Sequence, residues 1–139
     1  VRRDHYEVGV MAFKEYKIDF SKESGHQRAL FLWAAQPSVL KKYPELALLF
    51  HIKNETKEGA AAVAYDRTQG VKKGVPDLFF PCQRGRFGGM FIEMKTPKGR
   101  VRPAQLQWIR DLEDQGYFAC VCYGWEEARD RLLWYLNLN

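Results

Sequence analysis

Apolar positions along this chain come in short blocks, and the spacing within each block predicts an element. In SGHQRALFLWAAQ, Leu30, Trp33 and Ala34 recur at helical spacing. Ser24 with Gln27 three residues later has the form of a capping box, so a helix is expected to open near Ser24 and to end before Pro37. The run LALLFHI, after KKYPE, is short and bounded by turn residues, which predicts a strand. Thr56 is placed to cap a second helix, KEGAAAVAYDRTQ, which closes on Gly70 and whose alanine-rich face would pack closely on a sheet. DLFF and GMFIEMK read as two strands joined by PCQRGRFG. Pro103 suits the first position of a helix, AQLQWIRDLEDQ, with Leu106, Ile109 and Leu112 on its apolar face and Gly116 at its end. YFACVCY predicts a further strand and WEEARDRLLWYL a final helix. That order of elements predicts an α/β layer architecture. Residues 1–20 are left unassigned: VGVMAF is compatible with a strand, and the rest is charged and aperiodic.

Composition narrows the classes. A chain of 139 residues suits one domain with a real core, and 46% hydrophobic with 28% charged residues is a globular profile. No stretch approaches the roughly 20 apolar residues of a membrane span, and VRRDHYEV lacks the apolar segment of a secretion signal. Cys82, Cys120 and Cys122 are odd in number, and two alternate along an apolar run, which fits reduced, buried thiols and an intracellular location. A net charge of +5 is permissive for nucleic-acid binding. The basic residues gather at Lys72 and Lys73, at Arg84 and Arg86, and at Lys95, Lys98, Arg100 and Arg102, and each cluster fits a solvated face as well as a binding one.

The charges inside the two central strands change the picture. Alternation sends Met90, Ile92 and Met94 one way and Phe91, Glu93 and Lys95 the other, so Glu93 and Lys95 are neighbours on one face. An antiparallel hairpin centred on Gly85 and Arg86 sets Asp77 opposite residue 94, within one register step. Two carboxylates and one ammonium then converge at one end of a sheet, where burial requires them to pair with each other or with a metal ion. Paired hard-oxygen carboxylates suit Mg²⁺ or Mn²⁺, and such an ion with a lysine beside it suits phosphodiester hydrolysis. The same residues also fit a structural Lys–Glu pair with Asp77 in a turn after Pro76.

GVKKGVPD, a short strand, a Gly-containing turn, FIEMKTPKG and then an R-P-A-Q-L-Q helix together resemble the virus-type replication-repair nuclease (VRR-NUC) domain of the PD-(D/E)XK nuclease superfamily. The resemblance runs from about Glu23 to Asn139, and it implies a single nuclease domain over 21–139 with a restriction-endonuclease-like core, a mixed central sheet flanked by helices. It further implies that Asp77 and Glu93 bind the ion, that Met94 offers its backbone carbonyl, that Lys95 serves the attacking water, and that Gln105 orients that lysine or touches the scissile phosphate. Glu23, with Gln27, resembles the acidic position of the family's first helix and would reach the ion through water, although the capping box gives Gln27 a structural task and sets Glu23 just outside the helix. HIKNE resembles the family's HxPNE segment with Lys53 in place of proline, so His51, Asn54 and Glu55 either support the site or form a solvated turn.

The helix opened by Pro103 lacks a Ser, Thr, Asp or Asn cap and has Arg100 and Arg102 beside its positive dipole end. A DNA phosphate there would answer both, and with the basic clusters at Lys72, Lys73 and Lys98 this gives Lys72, Lys73, Lys98, Arg100 and Arg102 as the expected DNA contacts. By resemblance to small members of the family, the expected activity is that of a homodimeric Holliday-junction resolvase acting on branched DNA, in the cytoplasm of a bacterium or bacterial host if the phage-type likeness holds. The alternatives are a flap or duplex nuclease of the same family and a catalytically inactive DNA-binding module. A metal-free RNA-binding domain would instead use Phe87 and Trp108 for stacking.

Overall fold

In the computed structural model, which describes residues 16–53 and 59–139, the block ESGHQRALFLWA forms helix α1 (Glu23–Ala34). Leu30 and Ala34 are buried as expected, whereas Trp33 is half-buried and Leu32 takes a core place. The helix starts two residues earlier than the capping-box reading requires, at Glu23 rather than Gly25. Asp19 turns the chain, its carbonyl accepting the Lys22 N–H and its carboxylate accepting both the N–H and the hydroxyl of Ser21. That turn makes extended Lys22 the N-cap and places Glu23 inside the helix, so Ser24 and Gln27 form no box.

Pro37, expected only to stop a helix, also starts one: α2 (Pro37–Lys42) has the proline at its first position, where the missing N–H costs nothing. LALLFHI is not one strand. A 3₁₀ turn (Pro44–Leu48) takes up its first three residues and leaves β1 with Phe50–His51 alone. Leu46 and Leu49 are buried while Leu48 and Phe50 are half exposed, a spacing of three that matches a 3₁₀ turn rather than a strand. Helix α3 (Ala60–Thr68) lies where KEGAAAVAYDRTQ was expected but buries only Asp66, with Ala60, Ala61 and Ala64 exposed and Ala62 half-buried. It lies on the connection between neighbouring strands β1 and β2. The expected Thr56 cap falls outside the described residues.

Strands β2 (Leu78–Phe80) and β3 (Met90–Lys95) pair antiparallel, β1 pairs antiparallel with β2, and β3 pairs in parallel with β4 (Phe118–Tyr123), giving a mixed sheet in the order β1-β2-β3-β4. The hairpin turn is centred on Gly85 and Arg86, with Arg84 facing Phe87. Gly85 supplies the positive φ (54°) that a two-residue hairpin turn needs at its first central position. Away from the turn the strands pair one residue out of that symmetry, Leu78 with Ile92. Helix α4 (Pro103–Asp114) makes the crossover from β3 to β4, and α5 (Trp125–Leu136) follows β4. Leu78, Phe80, Met90, Ile92, Met94 and Cys122 face one way into the core with Leu30, Leu132 and Tyr135 from α1 and α5. On the opposite face Ala119 and, from α4, Ile109 are buried, whereas Leu106, expected in that stripe, is 39% exposed. The three thiols are free, and Cys120 and Cys122 have their sulfurs 3.7 Å apart on β4.

Candidate metal and nucleic-acid site

Period-two alternation along β3 puts Ile92 and Met94 into the core and turns Glu93 and Lys95 to the other face, where they are nonetheless 1% and 4% exposed. Asp77 lies just before β2. Its backbone carbonyl accepts the Ile52 N–H at 2.7 Å, which ties it to the end of β1, and its Oδ2 accepts the Met94 N–H at 2.8 Å. The hairpin register, continued by one residue, sets Asp77 opposite residue 93 rather than 94. Glu23 arrives from the first turn of α1. One carboxylate oxygen from each of Glu23, Asp77 and Glu93 lies within 4.8 Å of the other two. Lys95 Nζ sits 3.6 Å from Glu23 Oε2 and 3.8 Å from Glu93 Oε2.

Three carboxylates share one ammonium here, and the imbalance falls on the most buried acid. Loss of hydration, then the Asp77 carboxyl pressed against it, and then the charge of Glu23 push Glu93 from 4.5 up to about 9, with Lys95 pulling the other way. Glu93 Oε1 is buried without a hydrogen-bond partner. Such a group is costly unless something supplies positive charge at that point. A divalent cation would do so, and an all-oxygen donor set with two buried or half-buried carboxylates and one exposed carboxylate is of the ligand type that suits Mg²⁺ or Mn²⁺.

The cluster forms one wall of an open cleft of about 790 Å³. Two helix N-termini border it: α1 through Ser21, Lys22, Glu23, Ser24 and Gln27, and α4 through Arg102 and Gln105. Arg102 is the N-cap of α4 and makes no side-chain cap, so that end presents free amides beside a cation, an arrangement that favours an anion. Gln105 half-answers the missing cap, because its Oε1 accepts the Arg102 N–H at 2.9 Å. Its amide nitrogen is the half able to donate toward the cleft.

Of the other expected residues, Lys73, His51 and Gln27 also line the cleft, while Lys72, Lys98 and Arg100 are exposed outside its lining. His51 Nδ1 lies 3.0 Å from the Asp77 carbonyl, so it helps hold the strand end that carries Asp77. Trp108 donates its indole N–H to the Lys73 carbonyl and thereby pins the GVKKG loop to α4, which is a structural task rather than a stacking one. Phe87 packs edge-on against Phe118. Asn54 and Glu55 fall outside the described residues. Ser21, Lys22, Gly74, Val75 and Thr96 line the cleft and are not among the expected residues. For Thr96 the signal was its place directly after Glu93-Met94-Lys95; for Ser21 and Lys22 there was none, because they precede the first periodic block.

Residues 20–126 match the family model of the VRR-NUC domain. A solved structure described as a VRR_NUC domain protein superposes with a TM-score of 0.69 at 25% identity, covering 84% of this chain and 89% of that one. No curated protein matches the chain.

Proposed function

Because the chain belongs to the VRR-NUC family and so carries a nuclease-type domain, we propose that it is a divalent-metal-dependent endodeoxyribonuclease that resolves four-way DNA junctions as a homodimer. The observation that supports metal dependence most directly is the buried Glu93 oxygen left without a partner in a cluster of three carboxylates. Asp77, Glu93 and Glu23 would hold Mg²⁺ or Mn²⁺, with the Met94 backbone carbonyl as a further donor. Such an ion, when bound, acidifies water and offsets negative charge at phosphorus.

The remaining work falls to the chain itself. Lys95, fixed between Glu23 and Glu93, orients the attacking water and opposes the charge that develops on the phosphoryl oxygens. Arg102 and the free amides at the start of α4 take a backbone phosphate, and Lys73 extends that contact along the cleft. The Gln105 amide donates to Lys95's water or to the phosphate. Two such sites related by a two-fold axis would cut opposed strands of a junction; the junction and the dimer both rest on likeness to small members of the family.

The test is labelled four-way junction, flap and linear duplex incubated with Mg²⁺ or Mn²⁺, with Lys95→Ala as control. Paired symmetric cuts in the junction by the parent protein alone, together with a dimer by light scattering, are expected. Cuts confined to flap or duplex would replace the junction with that substrate. No cleavage of any substrate would mean a binding module, and equal cleavage by both proteins would overturn the assignment of the site.

A further inference from the structure

We propose that His26 is a positioning residue that sets Glu23 in the carboxylate cluster, an inference that rests on reading the cluster as an ion site. His26 is 7% exposed and lies three residues after Glu23 on α1, so the two are neighbours along one side of the helix. Both ring nitrogens are engaged. The Trp125 backbone N–H, which can only donate, lies 3.1 Å from Nδ1, and the Phe20 carbonyl, which can only accept, lies 3.0 Å from Nε2. These partners place the proton on Nε2 and the lone pair on Nδ1.

Each of the two bonds leads to the cleft. On one side, Phe20 packs its ring edge-on against the imidazole at 5.2 Å, and the next residues, Ser21, Lys22 and Glu23, line the cleft. That stretch is folded so tightly over α1 that a Cβ on Gly25 would lie 1.8 Å from the Asp19 carbonyl oxygen. On the other side, Trp125 follows Gly124, whose N–H donates to the Lys95 carbonyl at 2.8 Å. His26 therefore spans the gap between the segment that delivers Glu23 and the turn that holds the end of β3. A residue that only filled space would need neither bond, and an apolar replacement would free the Phe20 carbonyl and let the first turn of α1 move away from Asp77 and Glu93.

The experiment is a double-mutant cycle on Mn²⁺ affinity, read by electron paramagnetic resonance of the free ion with no DNA present. Its members are the parent chain, His26→Ala, Glu23→Ala and the double variant, each with its thermal unfolding recorded without ion. His26→Ala is expected to weaken Mn²⁺ binding about tenfold, the lower end for partners that orient a ligand. In the Glu23→Ala background the same change is expected to cost less than about twofold, because coupled residues are not additive. Equal weakening in both backgrounds would assign His26 a general structural role and overturn the proposal, as would unchanged affinity in His26→Ala. A parent chain that binds no Mn²⁺ would overturn the ion-site reading as well, which separates the two failures. Should His26→Ala not fold, His26→Gln and His26→Asn, which keep a donor for Phe20 and an acceptor for Trp125 respectively, take its place in the cycle with the same outcomes.

Discussion

At the turn end of the β2–β3 hairpin, Arg84 pairs with Glu45 and donates to the Leu136 carbonyl at 3.3 Å, and Tyr135 donates its buried hydroxyl to the Cys82 carbonyl at 2.6 Å. At the open end of the same hairpin, Glu93 keeps an oxygen buried without a partner, and one Lys95 ammonium is shared between two carboxylates at 3.6 and 3.8 Å. Both ends bury polar groups, and the core strands between them are the same. The turn end satisfies its groups from within the chain, tying the 3₁₀ turn and α5 to the hairpin. The open end leaves a deficit of positive charge and hydrogen-bond donors facing a cleft. Polar groups of the first kind hold a fold together, and a group of the second kind that faces a cleft is suited to completion from outside.

The largest expected difference between the ends is in catalysis. Asp77→Asn and Lys95→Ala should each lower the single-turnover cleavage rate by about 10³-fold or more, the scale of losing a group aimed at developing charge, while thermal unfolding shows no comparable loss of stability. Tyr135→Phe should do the reverse. It strands a buried carbonyl at a cost of about 1–3 kcal/mol, measurable by urea unfolding, and should leave the cleavage rate unchanged at a temperature where the variant is folded. A fall in cleavage with Tyr135→Phe would break the comparison, because it would make the turn end part of the site.

A smaller effect sharpens the account of the open end. The pKa of Glu93 is raised in the fold, so between pH 4.5 and about 9 the folded chain keeps a proton that the unfolded chain releases. The resulting contribution to stability is full below pH 4.5 and is lost as pH rises toward about 9. Urea midpoints of the ion-free protein should fall across that window, and Glu93→Gln, which mimics the protonated acid, should flatten the fall; an unchanged slope in that variant would move the charge deficit elsewhere. The smallest effect lies at the cleft rim. Arg100→Ala with Arg102→Ala should weaken DNA binding across sequences and reduce the log–log salt slope by roughly 2, about 0.9 for each phosphate no longer neutralised. A salt titration of binding checks this, and an intact slope would remove α4's N-terminus from the interface.

How much of this was legible in the chain varies with the range of the forces involved. Alternation in MFIEMK is local, and it placed Glu93 and Lys95 together without any knowledge of the sheet. Pro103 and Gly116 likewise marked both ends of α4, since their backbone preferences act within a turn. Helix α2 was missed because proline both stops a helix behind it and starts one ahead. LALLFHI was misread because an apolar run has no period until its neighbours decide which of its residues are covered; the core took Leu46 and Leu49. The alanine face of α3 stayed exposed for a related reason, since small apolar residues permit close packing without requiring it.

By itself the sequence determined the order of most elements, the hairpin about Gly85 and Arg86, and the pairing of acid with lysine on one strand face, because each follows from backbone geometry over a few residues. Family likeness alone had pointed to Glu23, and only the tertiary structure decided that its carboxylate lies beside those of Asp77 and Glu93, that the strands slip one residue from the symmetry of their turn, and that His26 spans α1 and the β4–α5 turn. These join residues up to 99 positions apart. What brings them together is the burial of apolar surface between helices and sheet, a non-directional force whose outcome no local pattern encodes.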